Sequence, residues 1–199
     1  GYLAASLPVG KFNVYAGLRY EFNQMELITN TRDDVESPKS KFYRNRDLFP
    51  SVNTMYKFND KHQVRLAYGK SVNRPEFREV SPSVYYDFDL ASNVQGKVDL
   101  KSCYIHNVDL RYEFYPSRGE QITIAGFYKH FDTPIEWTYT VAGGTDLVYS
   151  YDNAESADNF GVELDIRKDL SFIGLRNFSL SFNGTLIHSR VNFPAGSRY

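Results

Sequence analysis

From Phe12 onward the even positions read Phe12, Val14, Ala16, Leu18, Tyr20 and Phe22, and their odd neighbours read Asn13, Tyr15, Gly17, Arg19, Glu21 and Asn23. Side chains two apart share one face of a strand, so this segment is a ribbon with an apolar face and a charged face. The same sorting returns along the chain. Val52, Thr54, Tyr56 and Phe58 oppose Ser51, Asn53, Met55 and Lys57, and Val64, Leu66 and Tyr68 oppose Gln63, Arg65 and Ala67. Val108, Leu110, Tyr112 and Phe114 oppose Asn107, Asp109, Arg111 and Glu113. Ile122, Ile124 and Tyr128 oppose Thr123, Ala125, Phe127 and Lys129, with Gly126 interrupting the apolar row. Phe160, Val162, Leu164 and Ile166 oppose Gly161, Glu163, Asp165 and Arg167, and Phe178, Leu180, Phe182 and Leu186 oppose Ser179, Ser181, Asn183 and Thr185. With a leading segment near Tyr2–Leu7, the pattern predicts about eight strands, most of roughly ten residues or more.

The connections alternate in length. Pro8–Lys11, Asn59–Lys61 and Pro116–Gly119 are tight turns, and Asp169–Asn177 is a longer connection at the same end. At the other end lie long polar stretches, Thr29–Arg46 and Val72–Ser102, and a shorter one at Ala142–Asp146. Short turns at one end and long loops at the other describe an antiparallel up-and-down meander of the outer-membrane barrel kind. A membrane-spanning strand needs about nine to eleven residues, whereas strands of soluble sandwiches and lipocalin-like barrels usually have about five or six. The charged face suits a wet lumen. Leu-Arg-Tyr-Glu-Phe occurs at Leu18–Phe22 and again at Leu110–Phe114, but the copies run oppositely relative to their tight turns. They reflect one physical constraint met twice, not a duplicated unit.

Composition agrees once the faces are separated. Aromatics make up 16% of the 199 residues, yet mean hydropathy is −0.48. An apolar face, a wet face and polar loops average to such a value. With 23 Lys+Arg against 24 Asp+Glu, neither polybasic nucleic-acid binding nor an acidic disordered chain describes the whole. The lone Cys103 has no disulfide partner within the chain, and no stretch approaches the roughly 18 apolar residues of a membrane helix. The start lacks an initiator Met and a signal-peptide core, which reads as a cut end.

The stretch from Leu48 to Glu136 adds a resemblance. Leu48-Phe49-Pro50-Ser51-Val52, Val64-Arg65-Leu66-Ala67-Tyr68, Asn73-Arg74-Pro75-Glu76-Phe77-Arg78-Glu79, Tyr85-Tyr86-Asp87-Phe88, Asn107–Glu113, Phe127-Tyr128-Lys129, Pro134-Ile135-Glu136 and Asn159–Leu164 follow in order. Together they resemble the barrel of TonB-dependent outer-membrane receptors, particularly those of Bacteroidetes-type bacteria. Where such receptors commonly carry Gly-Asn-Pro-(Asp/Glu)-Leu, this chain reads Gly96-Lys97-Val98-Asp99-Leu100. The resemblance implies a barrel of about 22 strands closed around a plug. Residues 1–199 would then be a partial barrel domain, without plug, TonB box or the remaining strands. It further implies outer-membrane lipid, the protein's own plug and TonB as partners, and active uptake of a nutrient that nothing here identifies. No nucleic acid, cofactor or metal is expected.

Several residues admit two readings. Arg19, Glu21, Arg65, Arg74, Arg111, Glu113, Glu163 and Arg167 are the candidates for the lumen- or plug-facing wall. Cross-strand ion pairs among them are the plain account, each worth about 0.2–1 kcal/mol when solvated. Asn73–Glu79 reads as a strand end and a Pro-set turn with local charge pairing, or as a lining of the outer mouth. Tyr85, Tyr86, Asp87 and Trp137 are the candidate ligand-contact residues, since rings beside a carboxylate can stack on sugars and bond hydroxyls. Loop packing explains the tyrosines, and an interfacial aromatic girdle explains Trp137 and Tyr139. His62, His106, His130 and His188 are scattered, and Cys103 with His106 lacks a third partner, so no enzyme is expected. The alternatives are a complete eight-stranded structural or adhesion barrel, supported if first and last strands pair, and an outer-membrane hydrolase. An isolated slice would expose two strand edges and an apolar face, and is expected to self-associate.

Overall fold

The computed structural model describes residues 1–29, 39–141, 147–175 and 177–194. Twelve strands are present among the described residues, β1 (Tyr2–Val9), β2 (Phe12–Thr29), β3 (Lys39–Lys57), β4 (His62–Asn73), β5 (Val84–Asp87), β6 (Ser92–Gln95), β7 (Cys103–Phe114), β8 (Gln121–Asp132), β9 (Ile135–Val141), β10 (Leu147–Asn153), β11 (Ser156–Asp169) and β12 (Ser179–Asn192). A short helix α1 (Phe77–Val80) and a 3-10 turn (Ser171–Ile173) complete the order.

Eight strands form one sheet in the order β1-β2-β3-β4-β7-β8-β11-β12, every neighbouring pair antiparallel. This is the meander that the alternation predicts. β1 and β12 occupy its two edges and do not pair with each other. At roughly 3.3 Å per residue, the 12-residue strands reach about 40 Å and β2 and β3 about 60 Å, more than a bilayer core requires.

The tight turns hold the expected end. Gly10 sits at a positive φ of 60°, which a residue with a Cβ adopts only under strain. The Asn59 side chain accepts bonds from the Lys61 and His62 backbone N–H groups, closing the β3–β4 turn. Just inside these turns the outer face carries an aromatic row, with Phe12 against Tyr56 at 4.5 Å, Tyr56 edge-on to Phe58 at 4.9 Å, and His62 stacked on Phe114 at 4.4 Å.

The apolar face is left open. Leu18, Phe22, Leu48, Leu66, Leu110, Ile124, Phe160, Val162, Leu180 and Leu186 are all exposed. So long an array of exposed apolar side chains is what a lipid-facing wall presents and a water-soluble sheet avoids.

The structure corrects the loop boundaries. Every described residue of the stretch read as polar loop, Thr29 and Lys39–Arg46, is strand, because β2 and β3 continue as a paired ribbon to Thr29↔Lys39. Residues 30–38, the polar stretch at 142–146 and the terminal residues 195–199 lie outside the described residues. Val72–Ser102 is not a plain loop either: it contains α1, β5 and β6. These last two join β10 and β9 in a second, four-stranded sheet of order β5-β6-β10-β9, in which β10 and β6 run parallel. Strands of four residues carry too few alternations to be seen as a period.

The second sheet has the only hydrophobic core cluster among the described residues. Val80, Val94, Leu100 and Tyr151 are buried in it, and Met25, Leu27 and Tyr43 from β2 and β3 pack against it. Met25 and Leu27 share the strand face of Arg19 and Glu21, so the small sheet folds over the charged side of the wall at its long-loop end.

Candidate functional site

The charged residues singled out in the sequence come together as one surface. The ladder registers align Arg65, Arg111, Ala125 and Glu163 in one row and Gln63, Glu113, Thr123 and Asp165 in the next. Arg65 and Arg111 are therefore direct cross-strand neighbours of like charge. Glu113 offsets that repulsion from one step away. Its carboxylate is 4% exposed, lies 3.1 Å from Arg65 Nε, and accepts hydrogen bonds from the Gln63 amide and from Tyr115 Oη at 2.7 Å. Glu163 and Arg167 lie on the same face, with Arg167 opposite Gln121.

Arg74 does more than pair locally. The β3–β4 ladder stops at Ser51↔Gly69, while β4 continues alongside β7 to Asn73↔Cys103. Where the two strands part, Arg74 donates to Glu21 Oε2 at 2.8 Å and to Asp47 Oδ2 at 2.9 Å. Tyr104 Oη donates to the other Asp47 oxygen at 2.7 Å. Phe49, 3% exposed, lies beneath the Arg19 and Arg74 guanidinium groups at 5.1 and 6.0 Å. Burial works against the Arg74 charge, but the hydrogen bonds to Glu21 and Asp47 outweigh it and hold its pKa above the usual arginine value. Glu21, Asp47 and Arg74 thus tie β2, β3 and the end of β4 into one network.

Beyond Arg74, Glu76 and Glu79 form a reciprocal capping box that starts α1. Gly96 then lies against the end of that helix, where a Cβ would fall 2.6 Å from the carbonyl oxygens of Arg78 and Glu79. Only glycine permits this approach, which lets Lys97 N–H bond the Glu79 carbonyl at 2.7 Å. Gly96–Leu100, which lacks the Asn-Pro pair, still turns, with Leu100 N–H reaching the Lys97 carbonyl at 3.4 Å. Lys41 and Tyr43 of β3 donate to the Val98 carbonyl, and Lys41 also pairs with Asp99. The Lys41 hydrogen bond and charge hold the Asp99 carboxyl below its ordinary range.

The candidate ligand-contact residues separate between two faces of the small sheet. Tyr85, Val94, Tyr149 and Tyr139 align across the four strands, and Trp137 pairs with Tyr151 beside them. Tyr85 lies against the core with the Arg78 guanidinium over its ring at 5.5 Å. Burial, aided by a hydrogen bond with Tyr85, pushes the Tyr151 phenol upward. Trp137 packs on Tyr151 at 4.5 Å and stays half exposed. Tyr86 points the other way, edge-on to Phe88 at 5.1 Å, and Phe88 is 87% exposed. Asp87 accepts bonds from the Asp89 and Leu90 N–H groups, which form its turn. Trp137 and Tyr139 belong to β9 of this second sheet.

Sequence reading missed a polar row above the apolar band. His106 and His130 face each other across β7 and β8. Tyr68 Oη shares a 3.0 Å hydrogen bond with His106, and His130 and Tyr128 both donate to Asp158, at 2.7 and 2.6 Å. Only the registers bring these residues together. Cys103 and His106 lie on opposite strand faces, as an odd separation along a strand dictates.

No curated protein matches the chain. Solved structures do match its fold. The siderophore receptor PirA of Pseudomonas aeruginosa superposes with a TM-score of 0.66 at 14% identity, over 96% of this chain and 42% of that one. The ferric enterobactin receptor PfeA of the same organism gives 0.64 at 14% identity, over 94% of this chain and 26% of that one. The Serratia marcescens hemophore receptor HasR gives 0.63 at 16%, over 90% and 32%. The chain therefore spans 26–42% of the length of these receptors and shares the fold of that part. A family model described as the outer membrane protein beta-barrel family matches residues 1–198, so this meander of one apolar and one charged face belongs to that family and resides in the bacterial outer membrane.

Proposed function

We propose that the chain forms part of the wall and mouth of a TonB-dependent receptor that takes up a nutrient across the outer membrane. One observation carries this reading. The charged face of the sheet is the face over which the small second sheet folds, through Met25, Leu27 and Tyr43. A meander with lipid outside, charges inside and a folded structure over its inner mouth suits a gated solute path. The charged rows of Arg65, Arg111, Glu113 and Glu163 then face a plug, and Tyr85, Tyr86, Asp87 and Trp137 stand in or beside the path of an arriving solute. Likeness to siderophore and hemophore receptors supports the class. The open order of the sheet, with β1 and β12 unpaired to each other, argues against a complete eight-stranded barrel.

The test is uptake by cells with the gene deleted and restored, measured with and without TonB. An energised receptor requires that solute accumulation fall when either the gene or TonB is removed. Passive entry that ignores TonB would indicate a simple pore or structural barrel.

A further inference from the structure

A pocket of about 230 Å³ lies on the inner face at the mouth, where the start of β9 overhangs β7, β8, β11 and β12. Its floor is apolar, with Ile105, Phe131 and Val191, and its rim carries Asn73, Asn159 and Glu136. Glu136 is the only formal charge lining it among the described residues, and Asp152, opposite Glu136 in the β9–β10 ladder, is paired with Lys97 at 2.7 Å. The Glu136 carboxylate has no hydrogen-bond or ion-pair partner among the described residues, and burial alone raises its pKa. Asn159 accepts from Ser189 Oγ at 2.6 Å through its carbonyl oxygen, which leaves its amide nitrogen without a partner among the described residues.

This contrasts with the rest of the inner wall. Glu113, Glu21 and Asp47 each hold an arginine. A carboxylate set half-buried without a cation is costly unless something positive arrives. Typical whole-ligand sites measure roughly 300–1,000 Å³, so a smaller pocket takes a terminal group of a solute and not all of it.

We propose that this pocket is a subsite for the ammonium end of a solute, an inference that rests on the transport reading. The ammonium donates to the Glu136 carboxylate, a charge-assisted hydrogen bond. The Asn73 carboxamide oxygen is the acceptor on the rim for a second N–H, and the carbon skeleton next to the nitrogen rests on Ile105, Phe131 and Val191. A carboxylate or phosphate in the same place meets like charge, so the subsite selects against anionic ends.

The test is calorimetric titration of the intact outer-membrane protein in detergent micelles with 2-phenylethylamine, its N-acetyl derivative and 3-phenylpropionate. The amine binds, and acetylation or Glu136→Gln weakens binding at least about tenfold, the scale of one charge-assisted hydrogen bond. Asn73→Ala produces a smaller loss with an unchanged β-sheet circular dichroism spectrum. Equal binding of the amine and its acetyl derivative, indifference to Glu136→Gln, tighter binding of phenylpropionate, or no binding of the amine at millimolar concentration each overturns the subsite. TonB-dependent uptake with no preference for the amine would leave the transport reading standing and the subsite refuted. Amine preference without uptake would do the reverse.

Discussion

The wall and the mouth sheet are stabilised by different physics. In the wall, β2 and β3 pair over 18 register positions, yet most large apolar side chains on the outer face remain exposed. Its backbone groups are satisfied strand to strand, and its apolar surface awaits lipid. In the mouth sheet β5 and β6 pair over only four positions, but Val80 and Val94 are 0% exposed and Leu100 3%. There a conventional core holds short strands that ladder bonds alone would not keep. A barrel can therefore carry a small water-stable unit at its rim, packed by the same rules as a globular protein, while the wall below obeys the bilayer.

This contrast can be broken by substitution. Leu100→Ala removes buried volume from the mouth core and should cost about 2–5 kcal/mol. Amide hydrogen exchange should rise at Val94 and Tyr149 while the β7–β8 ladder keeps its protection; loss of protection in both would make them one cooperative unit. Leu66→Arg, on the outer face, should cost about 2–4 kcal/mol in lipid vesicles if it lies near the bilayer midplane. Asn53→Arg, exposed on the inner face, should stay within about 0.5 kcal/mol, and equal costs in denaturant titrations would refute the assignment of faces. Arg74→Ala leaves Asp47 without its cation, while Glu21 keeps Arg19 at 3.0 Å, and should lower stability by about 1–3 kcal/mol. Much of that loss should disappear in an Asp47→Asn background, since the two groups share one network.

The smallest effect is one of pH. Lys41 holds the Asp99 carboxyl below the ordinary aspartate range. A depressed carboxyl pKa means the pairing contributes fully above the unfolded value and fades as pH falls through the folded one. Acidification to the depressed range should loosen the Lys41–Asp99 pairing while the bonds from Lys41 and Tyr43 to the Val98 carbonyl persist, and Lys41→Ala should remove that dependence. The Asp99 carboxyl signal followed by NMR across the titration reports both.

Much of the wall was legible because a strand's period is two and each face meets one solvent. Arg65, Arg111 and Glu163 could be placed on one face without knowing which strands were neighbours. Trp137, Tyr139, Tyr149 and Tyr151 also sit at odd positions, but nothing local reveals that β10 lies parallel to β6. That contact joins Tyr149 to Val94. Likewise Arg74 looked like part of a locally paired turn, and its partners Glu21 and Asp47 became visible only where β3 and β4 part. The histidines looked scattered because His106 and His130 are 24 positions apart in the sequence and neighbours only in the ladder.

Alternation in the amino-acid sequence settled which side chains share the apolar face and which share the charged face, because face assignment follows from chain geometry alone. It also set the direction of the meander, since tight turns and long connections can be told apart by their residues. Tertiary structure decided the rest. Strand register determined which charges meet, and the packing of Val80, Val94, Leu100 and Tyr151 turned an apparent loop into a folded mouth. Glu136 is one more carboxylate in the sequence, and it becomes distinctive only because the fold sets it at the rim of an apolar pocket, while its ladder neighbour Asp152 takes Lys97.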